Sequence, residues 1–486
     1  MKNLVIAGGG TAGWFAALYM KKIFPQSNVT VIQNKEIGII GVGEATTPKI
    51  LDFLDSLGIH PLDIIPHIKG GIKNGINFEN WNGDGKRYMH AFDDKLVDFK
   101  IDNIFDSKCL DYYHKLLISK NLPFDEYIYQ TKIAYQNKVD IYNTDWALHF
   151  DAAEMASYLN KIGIERGINV VEDKIIGVES DDRNFVSIIK LESGKDLNCD
   201  FVFDCTGFRR EIIGKFYKED WISFRDYMPM KKGIHFWLPQ QDDVEPFTSA
   251  IALKYGWSWK IPLPHRIGSG YIYDSDYISD EEALLEAEEF YNQKLDVRRT
   301  IPFDPGRFKN LWVKNCIALG LAGSFLEPLE STSIWQTLNQ LEELKHFLND
   351  LDKDTPRDLY NEMIGNSIEY KSLFVYLHYF TKRSDTLFWK EFKEKHPVPE
   401  KWKHIFDKLK AGDLRFMDIG NIKIPGHFGL TSYTQVGHGL EYIDSINIDN
   451  YQNINPSIEE YKNLIDEKDK TTAVNHTQFL KWLETR

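Results

Sequence analysis

The sequence predicts an α/β protein, with a Rossmann-like dinucleotide-binding module on which a mainly helical module packs. Three observations carry that expectation. The chain opens with strand, glycine turn and helix; a second strand-to-glycine turn near residue 320 leads into a long helix with an apolar stripe; and the tyrosine-rich last third reads as helical, with no internal repeat or low-complexity linker. The expected boundaries are 1–350 for the dinucleotide-binding module, with substrate-site segments inserted in it, and 351–486 for the helical module. A ligand pocket would fall between the two, as pockets often do at such junctions.

Composition narrows the class of partner. The chain has 486 residues with twelve Trp and twenty-four Tyr, and a formal net charge of −14. It shows no Lys/Arg cluster of the kind that binds phosphate backbones, so nucleic acid is not an expected partner. Cys109, Cys199, Cys205 and Cys316 have no Cys-x-x-Cys spacing, which points to reduced thiols, a cytoplasmic setting and no structural metal. No apolar run reaches membrane-spanning length, and Met1 to Ile6 does not read as an export signal.

Leu4 to Ala7 reads as a buried parallel strand. In the following Gly8-Gly9-Gly10-Thr11-Ala12-Gly13, the glycines at 8, 10 and 13 serve the tight turn, the approach to a pyrophosphate and close helix packing. Thr11 and Ala12 begin the helix whose free N–H groups would hold that pyrophosphate. A second strand, Val29 to Ile32, follows at βαβ spacing and ends at Gln33 and Asn34, where an acidic residue usually binds ribose; an amide can make the same bond. In Gly41 to Pro48, Thr47 is expected to cap a helix beginning at Pro48, with Ile50, Leu54 and Leu57 as its apolar stripe.

From Gly75 the chain alternates, placing Ile76, Phe78 and Asn80 on one face of a strand, with Lys73 just before it. Taken alone, Lys73 reads as a solvated charge and His90 as a structural histidine. A helix is expected from Asp151 to about Arg166, and Asp204 in Phe203-Asp204-Cys205-Thr206-Gly207 suits a turn. Alternation in Trp257-Ser258-Trp259-Lys260-Ile261-Pro262 puts both indoles on one face, where they would stack as a wall, and Pro262 is expected to end the strand. Beyond Ile317 to Gly323, a helix carrying Leu338, Leu341, Leu344 and Phe347 starts between Ser331 and Ser333. Ser331 and Thr332 would cap that start, or its unpaired N–H groups would hold an anion.

Together these stretches resemble the flavin-dependent halogenases, the tryptophan halogenase family. Trp257-x-Trp259-x-Ile261-Pro262 matches the family's Trp-x-Trp-x-Ile-Pro, Gly41-Val42-Gly43-Glu44-Ala45-Thr46 its flavin strap, and Glu327-Pro328-Leu329-Glu330-Ser331-Thr332 its Glu-Pro-Leu-Glu-Ser-Thr signature. Lys73 stands eight residues before Trp81, as the family's catalytic lysine does before its Asn-Trp tryptophan. His149-Phe150-Asp151-Ala152 and Asp204-x-x-Gly207 are similar to segments of flavoprotein monooxygenases, which favours FAD over NAD.

The resemblance implies a flavin monooxygenase-type FAD module in which Gly8, Gly10, Thr11, Ala12, Gly13, Gln33, Gly43, Glu44, Ala45, Asp204 and Gly207 hold the cofactor. It implies that Thr332 and Ser333 bind chloride, bromide or iodide, that Trp257 and Trp259 wall the flavin from substrate, and that His90 lies near an aromatic substrate. FAD would arrive reduced from a separate flavin reductase, since only one dinucleotide fingerprint is present. Reduced FAD, oxygen and halide would give hypohalous acid, which passes to Lys73 and, with Glu330 assisting, halogenates an indole, phenol or pyrrole. At Lys73 it would be captured as a haloamine or polarised by a hydrogen bond. Ser333 replaces the Gly of many tryptophan-specific members, and Ser432 to Gly437 offers one Tyr and no adjacent acid to grip an amino acid, so free tryptophan is not the expected substrate. His378-Tyr379 and Arg383 to Trp389 also resemble the family, and helix packing is the expected role there. The alternatives are an FAD-dependent aromatic hydroxylase, which needs neither Lys73 nor the indole wall, and a flavin-binding protein without catalysis. A homo-oligomer is left open.

Overall fold

The computed structural model describes residues 2–486 except 35, 37, 39–40, 42–43, 93–105, 351–352, 420–424 and 447–456. Gly43 therefore lies outside the described residues, as does the side chain of Cys109. The other three cysteines are free thiols.

The first layer is the predicted α/β sheet. The strand Asn3–Ala7 lies between Asn28–Gln33 and Phe201–Asp204, parallel to both, and Asn169–Glu172 and Cys316–Ala318 extend the parallel order outward on either side. Their apolar runs suit strands covered on both faces. Gly8 has φ +123°, and a Cβ there would come within 2.3 Å of the Cys205 carbonyl; at Gly13 it would meet the Gly8 carbonyl at 1.9 Å. These contacts press the helix Thr11–Ile23 against the sheet.

A second sheet of seven strands holds the paired tryptophans. Its strand Gly256–Leu263 is central, between Thr248–Ala252 and Arg266–Tyr273, and Gly75–Glu79 joins on the far side of Thr248–Ala252. Pro262 does not end the strand as expected. The partner Thr248–Ala252 flanks it only from Trp257 to Lys260, so the missing N–H at Pro262 falls beyond that ladder while pairing with Ile267 continues. Nor do the indoles stack: their centroids are 6.2 Å apart at 61°, an edge contact. Asn80 lies past its strand's end, in a left-handed turn with φ 59°.

Three short strands tie the layers together. Ala147–Phe150 pairs with Glu44–Ala45 on one side and with Gly71–Lys73 on the other, so the predicted strap and Lys73 share one backbone ladder. The helix Ala152–Glu165 follows, N-capped by the Asp151 carboxylate. Thr47 makes no side-chain cap; the helix Lys49–Ser56 has Pro48 at that position. In the last third, Asp354–Leu377, Leu430–Gly439, Ile458–Thr471 and His476–Leu483 are helices. One buried apolar cluster runs from Leu4 to Leu483 and includes residues of both expected modules.

Asp204 turns out to be a turn former. Its buried carboxylate accepts from the Thr206 N–H and hydroxyl and from the N–H groups of Ile212 and Ile213, at 2.6 to 3.1 Å. Asp204→Ala leaves these donors without an acceptor, each worth roughly 1–3 kcal/mol when buried. Denaturant unfolding of the flavin-free protein is expected to show a loss of about 3 kcal/mol or more.

Candidate active site

The glycine turn opens onto a cavity of about 860 Å³. That lies in the upper range of small-molecule sites. Gly8, Gly10, Thr11, Ala12, Gln33, Glu44 and Gly207 line it, together with Trp259, Ser333 and Ile334. The helix Thr11–Ile23 has no side-chain cap at Gly10 and no acidic residue in its first turn, so its N–H groups remain free for an anion. Gln33 ends its strand as expected and donates to Glu172 Oε1 at 2.6 Å. These residues fit an elongated dinucleotide with its pyrophosphate at Gly10 to Ala12. Gly13, Ala45, Asp204, Trp257 and Thr332 do not line this cavity. Gly13 is used in packing and Asp204 in its turn.

Glu44 is half-buried on the cavity wall, and its carboxyl is pushed up to about 8 by desolvation, with the Asp151 charge adding to this and Arg266 opposing it. Asp151 is itself paired with Arg266 at 2.7 Å. Glu327 is likewise pushed up to about 8 by burial, although the Tyr379 hydroxyl bonds its carboxylate at 2.8 Å. Neither group repeats the behaviour of Glu330.

Just before Ser333 the chain makes an unusual turn. Ser331 precedes the helix Thr332–Leu344 with φ 55° and ψ 36°, a left-handed conformation disfavoured for a residue with a side chain, and it makes no cap bond. Its hydroxyl instead accepts from Lys73 Nζ at 2.8 Å, and the same amine donates to the Thr46 carbonyl at 3.0 Å. Lys73 is 0% exposed. Burial lowers its pKa to about 7, against the opposing charge of Glu330.

Glu330 is held between two histidines. His90 Nδ1 lies 3.0 Å from both carboxylate oxygens. His378 Nε2 lies 2.9 Å from Oε1, at ion-pair distance rather than in hydrogen-bond geometry. Burial alone would raise the carboxyl, but the two histidines outweigh it and hold Glu330 down at about 2. The Phe374 carbonyl, which can only accept, faces His378 Nδ1 at 3.0 Å, so both ring nitrogens of His378 face acceptors. His90 also packs against Phe374 and Phe428.

From the sequence alone His378 has a packing role and Tyr88 none. The Tyr88 hydroxyl is buried without a partner, and its pKa is raised well above the usual value by burial and by the Glu330 charge. The His378-Tyr379 pair was visible in sequence, but nothing there showed which carboxylate it met.

Comparison with known proteins decides the family. The family model for tryptophan halogenase matches residues 3–446. The chain belongs to the tryptophan halogenase family. It is 31% identical to tryptophan 6-halogenase SttH of Streptomyces toxytricini, over 89% of this chain and 87% of that one. It is 32% identical to tryptophan 7-halogenase RebH of Lentzea aerocolonigenes, over 81% and 79%. Among solved structures it is similar to BrvH, a flavin-dependent halogenase from Brevundimonas sp. BAL3, at 29% identity and TM-score 0.86, covering 100% of this chain and 99% of that one. Xcc4156, a flavin-dependent halogenase from Xanthomonas campestris, follows at 27% identity and TM-score 0.89, covering 99% and 98%. This tryptophan halogenase family member is therefore a flavin-dependent enzyme, and membership implies FAD, halide, an aromatic substrate and a separate flavin reductase. Among the described residues no helix is long and apolar enough to cross a membrane, and no group of metal-ligating side chains occurs.

The two shifted groups make a prediction about stability. Glu330 falls from 4.5 to about 2 on folding, so its contribution is present above pH 4.5 and lost as pH falls towards 2. Lys73 falls from 10.5 to about 7, so between those values the unfolded chain binds the extra proton and stability rises with pH. In denaturant titrations across pH, Glu330→Gln should lose the first dependence and Lys73→Met the second.

Proposed function

We propose that this chain is an FAD-dependent halogenase that transfers halogen to an electron-rich indole, phenol or pyrrole through Lys73. The carrying observation is the buried amine with a pKa near 7, fixed between the Thr46 carbonyl and Ser331 and beside the ionised Glu330. In this reading Gly8, Gly10, Thr11, Ala12, Gln33, Glu44 and Gly207 hold FAD. When bound in its reduced form, FAD supplies with oxygen the oxidation of halide to hypohalous acid. The N–H groups at Thr332 and Ser333 hold the halide, and Trp259 on the cavity wall, backed by Trp257, keeps organic substrate from the flavin.

Hypohalous acid then meets Lys73. The neutral amine attacks the halogen, an N–halogen bond forms as the halogen–oxygen bond breaks, and the departing hydroxide takes an amine proton to leave as water. An aromatic carbon next attacks the halogen, and the N–halogen electron pair returns to Nζ. Glu330, kept ionised by His90 and His378, accepts the ring proton released when aromaticity returns and passes it to Nζ, which restores the neutral amine. A pKa near 7 keeps a substantial neutral fraction at physiological pH, which supports the haloamine route.

The substrate reading rests on the helix Leu430–Gly439. Tyr433 is packed in the core against Phe374, and Gln435 Oε1 accepts from the Ala91 N–H. Asp111 does reach this helix, through Thr434, but Lys115 pairs with it at 3.0 Å. That supports a substrate without a free amino-acid group. Supplied with reduced FAD, oxygen and bromide, the enzyme should give bromine isotope doublets by mass spectrometry from a panel of indoles, phenols and pyrroles. Efficient, single-position bromination of free tryptophan would refute the substrate assignment.

Lys73→Ala should bind FAD and reoxidise it normally in stopped-flow measurements while brominated product falls roughly two to four orders of magnitude. Near-normal product would remove Lys73 from the mechanism. The purified chain should not oxidise NADH unless a flavin reductase is added.

A further inference from the structure

Behind the start of the helix Thr332–Leu344 lies a second cavity. It holds about 10 Å³, room for one water-sized occupant. Phe325 and Ser333 line both this cavity and the large one, so the two lie back to back across the helix start. Its polar lining is Ser324, Ser333 and the three residues that bear on a ligand, Thr332, Gln336 and Lys371.

Each of these three has hydrogen-bonding capacity left over. Lys371, 0% exposed on the helix Asp354–Leu377, donates to Gln336 Oε1 at 2.6 Å and to Ser367 Oγ at 2.7 Å, and an ammonium has a third proton to give. Gln336 spends its carbonyl on that lysine and leaves Nε2 without a partner. The Thr332 hydroxyl is buried and also unpartnered. The Trp335 ring, 4.6 Å from Nζ, favours a cation there.

What is missing is a counter-charge. Among the described residues no carboxylate pairs with Lys371, and burial draws its pKa well below the usual lysine range. A buried charge without a partner is costly, and an anion in the cavity would remove that cost. Water is the competing occupant, since it could accept from Lys371 and Gln336 Nε2 and donate to the Thr332 hydroxyl, and the crystal experiment below separates the two. The positive end of the helix Thr332–Leu344 adds to the preference for negative charge.

We propose that this cavity is a halide site in which Lys371, Gln336 Nε2 and the Thr332 hydroxyl hold a chloride or bromide ion next to the flavin cavity. The choice of halide over other small anions rests on the proposed halogenase function. Crystals of the full chain grown in bromide test it by anomalous scattering. The expected result is a bromine peak within hydrogen-bonding reach of Lys371 Nζ, absent in Lys371→Met. As a second measurement, the wild-type protein should melt higher in bromide than in gluconate, and Lys371→Met should lose most of that increment. A water or an empty cavity at Lys371 in the wild-type crystals overturns the proposal, whether or not the variant folds. Bromination by the same preparation reports separately on the catalytic reading: a peak without product leaves the site standing, and product without a peak leaves only the enzyme.

Discussion

The left-handed turn at Ser331 is the constraint on which the site depends. An ordinary serine cap would turn its hydroxyl back onto the helix's own N–H groups and consume the donors that make a helix start attractive to anions. Here the backbone takes φ 55°, at an energetic cost, and the hydroxyl is freed to receive Lys73. One strained residue thus leaves the helix start uncapped and anchors the buried amine. It also places Glu330, the preceding residue, among His90 and His378.

Burial does the rest of the electrostatic work, and it acts in opposite directions on neighbouring groups. It lowers Lys73 because the charged form is poorly solvated, and it would raise Glu330 for the same reason. Glu330 escapes that fate because two histidines face it, whereas Glu327, three residues earlier and bonded by the Tyr379 hydroxyl, does not. Two glutamates in one short motif are therefore driven apart by their partners. The ladder through Ala147–Phe150 adds a mechanical link, since Thr46, which follows the strap strand, bonds Leu148 in both directions and offers its carbonyl to Lys73.

Where expectation and structure part, the cause is tertiary. Pro262 continues a central strand because its neighbour has already ended, and strand pairing length is not written in local sequence. Thr47 and Ser331 both satisfy the composition rule for a helix cap, yet neither caps, the second because a lysine from a distant strand competes for its hydroxyl. The indoles share a face as alternation requires, but their angle is set by packing.

By itself the sequence determined the βαβ nucleotide-binding turn, the helix start at residues 331–333 and the family, because each is carried by local patterns: glycines where backbone must approach backbone, apolar spacing at helical period, and contiguous motifs. The tertiary structure decided the rest. That Lys73 is buried and meets Ser331 across 258 residues, and that His378 rather than a neighbour in sequence faces Glu330, follow from long-range packing. So does the isolation of Lys371 from any described carboxylate. Protonation and partnership depend on which side chains share a dry space, and no periodicity along the chain encodes that.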